Sequence, residues 1–150
     1  MFQVFIGYGG EQAKQVAVRL GNYLGRCGIK CFVASSDPRW IMPGHTLEYI
    51  MTKLRQSDIM VVVCTEETDE SQELKREVDY AKKNNIIIIP FVKKEVTPPF
   101  ELGDTYWCQY FTAERPWSVH SRMVLYILYQ MEIRNEEIPL IEKKPKRVIA

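Results

Sequence analysis

The chain has 150 residues, 46% apolar and 26% charged, enough for one domain whose core needs no disulfide staples. A formal net charge of +1 leaves no basic field to hold nucleic acid or an anionic membrane surface. Met1-Phe2-Gln3-Val4-Phe5-Ile6 carries no cationic leader, no apolar run approaches membrane-spanning length, and the four cysteines have no zinc-like spacing with His45 or His120; reduced thiols, no bound metal and a cytoplasmic location are therefore expected.

In chain order, the apolar run Phe2 to Ile6 closes on Gly7-Tyr8-Gly9-Gly10, which predicts a strand followed by a glycine turn. Ala13, Val16, Ala17, Leu20 and Leu24 recur at helical spacing, with Gly28 as the stop. Ile29 to Ala34 reads as the second strand. Ser35 to Gly44 is a ten-residue loop holding Asp37, Pro38, Arg39, Trp40 and Pro43. Leu47, Ile50, Met51 and Leu54 mark a second helix, and Ile59 to Cys64 is a strand apolar enough to be covered on both faces. From Ser71 to Ala81 the spacing of Leu74, Val78 and Ala81 predicts a crossover helix. Ile86 to Ile89 is the fourth strand, ending at Pro90-Phe91-Val92. After a linker with Pro98-Pro99, Trp107 to Phe111 reads as an edge strand, and Val119, Met123, Ile127 and Leu128 begin a last helix. Residues 133–150, rich in lysine, read as a polar tail or a linker to a further domain, which leaves 1–132 as the folded unit.

Strands alternating with helices predict an α/β, flavodoxin-like three-layer fold: a five-stranded parallel sheet in the order 2-1-3-4-5 with helices on both faces. Ligands bind such sheets at the carboxyl edge, beside the switch point between strands 1 and 3. Three loops meet there: Gly7 to Gly10, Asp37 to Gly44, and Thr65 to Ser71. Glu77 is expected on the flank of the helical stripe near that edge, where a carboxylate is a candidate for chemistry. The plainer alternative is a glutamate that caps the helix or pairs with Lys75 or Arg76.

Four segments carry a family resemblance: Phe5-Ile6-Gly7-Tyr8; Gly28-Ile29-Lys30-Cys31-Phe32 with the later Pro43-Gly44; Gln56-Ser57-Asp58 before Val61-Val62-Val63; and Glu77-Val78-Asp79-Tyr80-Ala81 with Ile88-Ile89-Pro90. Together, over residues 2 to 130, they resemble a Toll/interleukin-1 receptor (TIR) domain of the bacterial and archaeal type. The family divides into adaptors and enzymes that cleave the nicotinamide–ribose bond of NAD+. The resemblance implies an NAD+ glycohydrolase or cyclase with Glu77 as its essential residue, NAD+ as substrate rather than cofactor, and a place in immune or antiviral defence. It also implies self-association through the Ser35–Gly44 loop. The chain departs from the family's pattern at Gly7, where serine is frequent, and at Glu73, where an aromatic often stands.

For such a substrate, the Tyr8-Gly9-Gly10 amides offer donors to pyrophosphate, or simply make a turn. Tyr8 and Trp40 offer flat faces to a base, Trp40 equally an oligomer contact. Ser35 and Ser36 reach ribose or only satisfy the loop, Pro43 and Gly44 shape it, and Glu73 raises the pKa of Glu77 or favours the helix start. A non-enzymatic interaction module and a deoxyribosyltransferase-like enzyme are the alternatives; the latter would also use a carboxylate at this edge.

Overall fold

The computed structural model describes residues 2–33, 46–103, 108–110 and 116–136. Strands β1 (Val4–Tyr8), β2 (Cys31–Val33), β3 (Ile59–Cys64), β4 (Ile87–Lys93) and β5 (Cys108–Tyr110) form one sheet in the order β2-β1-β3-β4-β5. Every pairing in it is parallel. The helices are α1 (Glu11–Arg26), α2 (Thr46–Arg55), α3 (Gln72–Lys83) and α4 (Pro116–Glu136). The topology is the one the alternation of strands and helices predicts.

Two apolar cores lie on opposite faces of the sheet, because side chains alternate along a strand. Val4 and Ile6 of β1, with Ile59, Val61 and Val63 of β3, meet Ala13, Ala17, Leu20 and Leu24 of α1 and Met123 and Ile127 of α4. Phe5 of β1, with Met60, Val62 and Cys64 of β3, meets Leu54 of α2 and Leu74, Val78 and Ala81 of α3. All six residues of β3 are buried, which explains its unbroken apolar sequence. Fully burying each large aliphatic or aromatic side chain in these layers contributes about 1.5–3 kcal/mol.

The structure moves several expected boundaries. β1 starts and ends two residues after the apolar run, since Gly7 and Tyr8 continue the ladder opposite Val62 and Val63. β4 runs on through Pro90 to Lys93. Proline lacks the ladder donor, and it is accommodated here just before β5 joins at Phe91. Leu128, expected in the core, is 39% exposed; Met123 and Ile127 share the buried face one turn apart, and the next residue along is carried round the helix. α4 continues to Glu136. The expected loop Ser35 to Gly44 and the end residues Trp107 and Phe111 of the fifth expected strand lie outside the described residues, as does most of the expected tail. Among the described residues no helix is long and apolar enough to cross a membrane, and Cys27, Cys31 and Cys64 are free thiols.

Candidate active site

The carboxyl edge of β3 is where the chain places α3. Past Cys64 the turn is fixed by buried Thr68, whose Oγ1 accepts from the Thr65 amide at 2.7 Å and contacts the Val63 carbonyl at 3.4 Å. A short 3-10 segment, Thr68–Glu70, leads to Ser71, which caps α3 by accepting from the Leu74 amide at 3.2 Å. Such a cap contributes about 1 kcal/mol and fixes where the helix begins.

From that start, the buried positions of α3 are Leu74, Glu77, Val78 and Ala81. Glu77 is thus inside the stripe, only 7% exposed, and not on its flank. It faces β1 at Gly7. A Cβ added to Gly7 would stand 3.3 Å from Glu77 Oε1, 3.0 Å from Leu74 Cδ1 and 2.9 Å from Met60 Cε. The carboxyl therefore rests against bare strand backbone amid apolar side chains. Among the described residues it has no hydrogen-bond or ion-pair partner. Ser71 makes the cap, and Lys75 and Arg76 point to exposed surface, so neither plain role expected for a glutamate here is filled.

Burial pushes the Glu77 carboxyl up to about 8, the nearby charge of Glu73 adds to the rise, and Arg76 opposes it. A buried carboxyl with a raised pKa and no partner among the described residues adds little to the stability of the fold. Such groups concentrate where chemistry or binding needs them. The neighbouring carboxylates differ. Glu66 is exposed and held by Lys93 Nζ at 2.9 Å, which keeps its pKa low. Glu73 is exposed one turn before Glu77. Burial raises the Cys31 and Cys64 thiols to about 12, so neither is a ready nucleophile.

The remaining site candidates separate. Tyr8 sides with Val4 and Ile6 and packs towards the α1/α4 core, whereas Gly7 faces Glu77; the structure does not bring the Tyr8 ring to the carboxyl. Gly9 is buried against the cap, where an added Cβ would stand 2.6 Å from Ser71 Cβ. Gly10, at φ +94°, precedes α1, and an added Cβ there would stand 2.8 Å from Glu67 Oε2. Close packing and backbone conformation thus account for both glycines, and a carboxylate occupies the space beside the α1 start. Ser35, Ser36, Trp40, Pro43 and Gly44 lie outside the described residues. Sequence reasoning places the Thr65–Ser71 loop at this edge without singling out Ser71 or Glu67 within it. Ser71, standing before Gln72-Glu73-Leu74, carried a legible capping signal; Glu67 carried none.

A family model for the TIR domain matches residues 4–123. The TIR domain of the Toll-related receptor TRR-2 from Hydra magnipapillata superposes with a TM-score of 0.60 at 20% identity, covering 92% of this chain and 100% of its own. The TIR domains of the activated Roq1 resistosome, which directly recognises the pathogen effector XopQ, give 0.55 at 17% identity, over 87% and 99%. The sugar isomerase domain of an RpiR transcription factor from Sphaerobacter thermophilus gives 0.52 at 21%, over 91% and 72%. At these identities the structural likeness is one of fold. No curated protein matches the chain in sequence.

Proposed function

The chain belongs to the TIR domain family, and on that premise we propose that it cleaves the nicotinamide–ribose bond of NAD+, with Glu77 as the catalytic carboxylate. The family includes both NADases and signalling adaptors. The observation that favours the enzymatic reading is the Glu77 carboxyl itself, buried at the carboxyl edge of the sheet with no partner among the described residues. An adaptor has no use for a group that weakens its own fold.

Nicotinamide in NAD+ is a cationic leaving group. The C1′–N bond breaks with its electron pair going to the ring, so neutral nicotinamide departs without needing an acid. Positive charge passes to the ribose as an oxocarbenium-like centre. An ionised Glu77 in a dry cleft stabilises that charge and can accept a hydrogen bond from a ribose hydroxyl, as carboxylates do in glycoside cleavage. Water then adds at C1′ and sheds a proton, giving ADP-ribose, or a nucleophile within the same molecule closes a ring. Free nicotinamide released by the purified protein tests this reading. Deoxynucleosides offered in parallel are expected to undergo no base exchange.

Because the anion is the working form, kcat/KM is expected to rise with pH towards about 8, the value burial and Glu73 set in the free protein. Glu73→Gln is expected to move that acidic limb downward, since removing a like charge eases ionisation of Glu77. Glu73→Ala is expected to cost far less activity than Glu77→Ala. Equal losses from the two would mean that a carboxylate pair does the chemistry.

We also propose that the Ser35–Gly44 loop serves both substrate and self-association, with Ser35 and Ser36 towards ribose and Trp40 and the Pro43-Gly44 kink shifting as domains stack. The resistosome likeness is consistent with a fold used in assemblies. Specific activity is then expected to rise with protein concentration and on fusion to an oligomerising domain. Constant activity per molecule across a wide dilution of a demonstrated monomer would contradict this. The setting we propose is cytoplasmic defence signalling.

A further inference from the structure

Every large apolar side chain that is exposed among the described residues lies on α4: Leu125 at 67%, Tyr129 at 58% and Leu128 at 39%. Their spacing of three and four residues gathers them into one patch on the helix. Met123 and Ile127 are buried on the opposite side, in the core formed with α1 and the sheet. α4 is therefore apolar on both faces, and the core covers only one. A helix that is apolar all round is expected to be covered on every side. The patch is bordered along the helix by the exposed, charged Arg122 and Glu132, the pattern of a surface that binds something.

The sequence and the length of the chain point to its occupant. α4 ends at Glu136, and Glu137-Ile138-Pro139-Leu140-Ile141-Glu142 follows, outside the described residues. Pro139 has no amide to give to a helix and disfavours the helical conformation at Ile138, so the chain has to leave the axis of α4 there. Residues 138–141 are apolar, and Glu142-Lys143-Lys144 after them favour solvent. At 1.5 Å per residue, Tyr129 lies about 10 Å, Leu128 about 12 Å and Leu125 about 16 Å back along α4 from Glu136. An extended chain turned back on the helix returns Leu140 by about 7–13 Å and Ile141 by about 10–17 Å, according to how many residues the reversal takes. The apolar run thus matches the patch in position and length. Charge agrees: Glu142 is the first charge after the run, and it comes towards Arg122, the basic residue beyond Leu125.

We propose that residues 138–141 of the same chain fold back antiparallel to α4 and cover the patch of Leu125, Leu128 and Tyr129. A second copy is the poorer fit. Three side chains, each partly covered already, supply only a fraction of the roughly 800 Å² per partner that a stable association buries. A tethered segment needs far less, since a short link holds it at an effective concentration on the order of millimolar. The contact directs the basic run Lys143-Lys144-Pro145-Lys146-Arg147 back along α4 instead of away from its end. It sits on the α1 side of the sheet, away from Glu77 on the α3 side, and so stands or falls separately from the proposed reaction.

Methyl and aromatic NMR of the full chain tests the contact. Nuclear Overhauser cross-peaks are expected from the Leu140 and Ile141 methyls to the Leu125 and Leu128 methyls and the Tyr129 ring. In a mixture of two differently labelled batches, filtered to pass only contacts between copies, these cross-peaks are expected to vanish. Leu125→Ser combined with Tyr129→Ser, both at exposed positions, is expected to abolish them and to move the Leu140 and Ile141 signals to random-coil values. Circular dichroism is expected to find the helix content unchanged. Should that variant not fold, Leu140→Ser with Ile141→Ser leaves the patch itself intact and is expected to shift the Leu125, Leu128 and Tyr129 signals. Random-coil Leu140 and Ile141 signals in the native chain overturn the proposal. So do cross-peaks that survive in the mixed sample, which would assign the patch to a second copy. Tail signals unmoved in a folded variant that lacks the patch overturn it as well.

Discussion

Glu77→Gln is expected to lower NAD+ cleavage by at least ~10²-fold, the usual loss when one preorganised electrostatic group is removed. Glutamine keeps the shape and burial of the side chain, which lies against Gly7, Leu74 and Met60, and removes only its capacity to become an anion. The loss should therefore appear in kcat, with the fold unchanged by circular dichroism and thermal unfolding. Glu77→Ala is expected to be as inactive, but it empties part of a packed layer and is the less clean test. A folded Glu77→Gln protein that retains most of its activity would remove Glu77 from the mechanism.

The same substitution is expected to change how stability depends on pH. The folded carboxyl holds its proton to about pH 8, whereas an unfolded glutamate gives it up near 4.5. Between those values the unfolded chain binds fewer protons than the folded one, so stability falls as pH rises. The contribution of this group is intact below 4.5 and is lost on passing 8. The full difference is roughly 3–5 kcal/mol. Glu77→Gln lacks the titrating group and so should escape that decline. Urea unfolding is expected to find the two proteins similar near pH 5 and the glutamine variant more stable, by roughly 2–4 kcal/mol, near pH 8.5. Parallel stability curves for the two proteins would show that Glu77 is ionised and solvated in the fold. An inactive variant that is more stable is the sign of a group kept for function against the interest of the fold.

The sheet order and the two-faced layering were legible because strongly apolar strands and a clean helical stripe leave little freedom. Ile59 to Cys64 could only be a central strand, and the spacing of Leu74, Val78 and Ala81 fixed which way α3 turns. The depth of Glu77 was less legible. A glutamate three residues after Leu74 reads as a flank position by charge, and only the bare backbone at Gly7 makes room for it inside. The same period of two separates Tyr8 from that site, although the two lie close in the family's motif. Register decides which face a strand residue takes, and the glycine-rich end of the run hid the fact that β1 continues through Gly7 and Tyr8. Gly9 and Gly10 read from sequence either as donors to pyrophosphate or as an ordinary turn, and the sequence could not show that a side chain added at Gly9 would meet Ser71 and one at Gly10 would meet Glu67, both from a segment far along the chain.

The central claim is that Glu77 gives this domain an NAD+-cleaving pocket. Its most direct test is to incubate the purified protein, concentrated or fused to an oligomerising domain, with NAD+ at about pH 8 and to quantify nicotinamide and ADP-ribose products chromatographically. One nicotinamide is expected for each NAD+ consumed, with none formed by the Glu77→Gln protein. Undiminished NAD+ in the presence of folded, assembled wild-type protein would contradict the account.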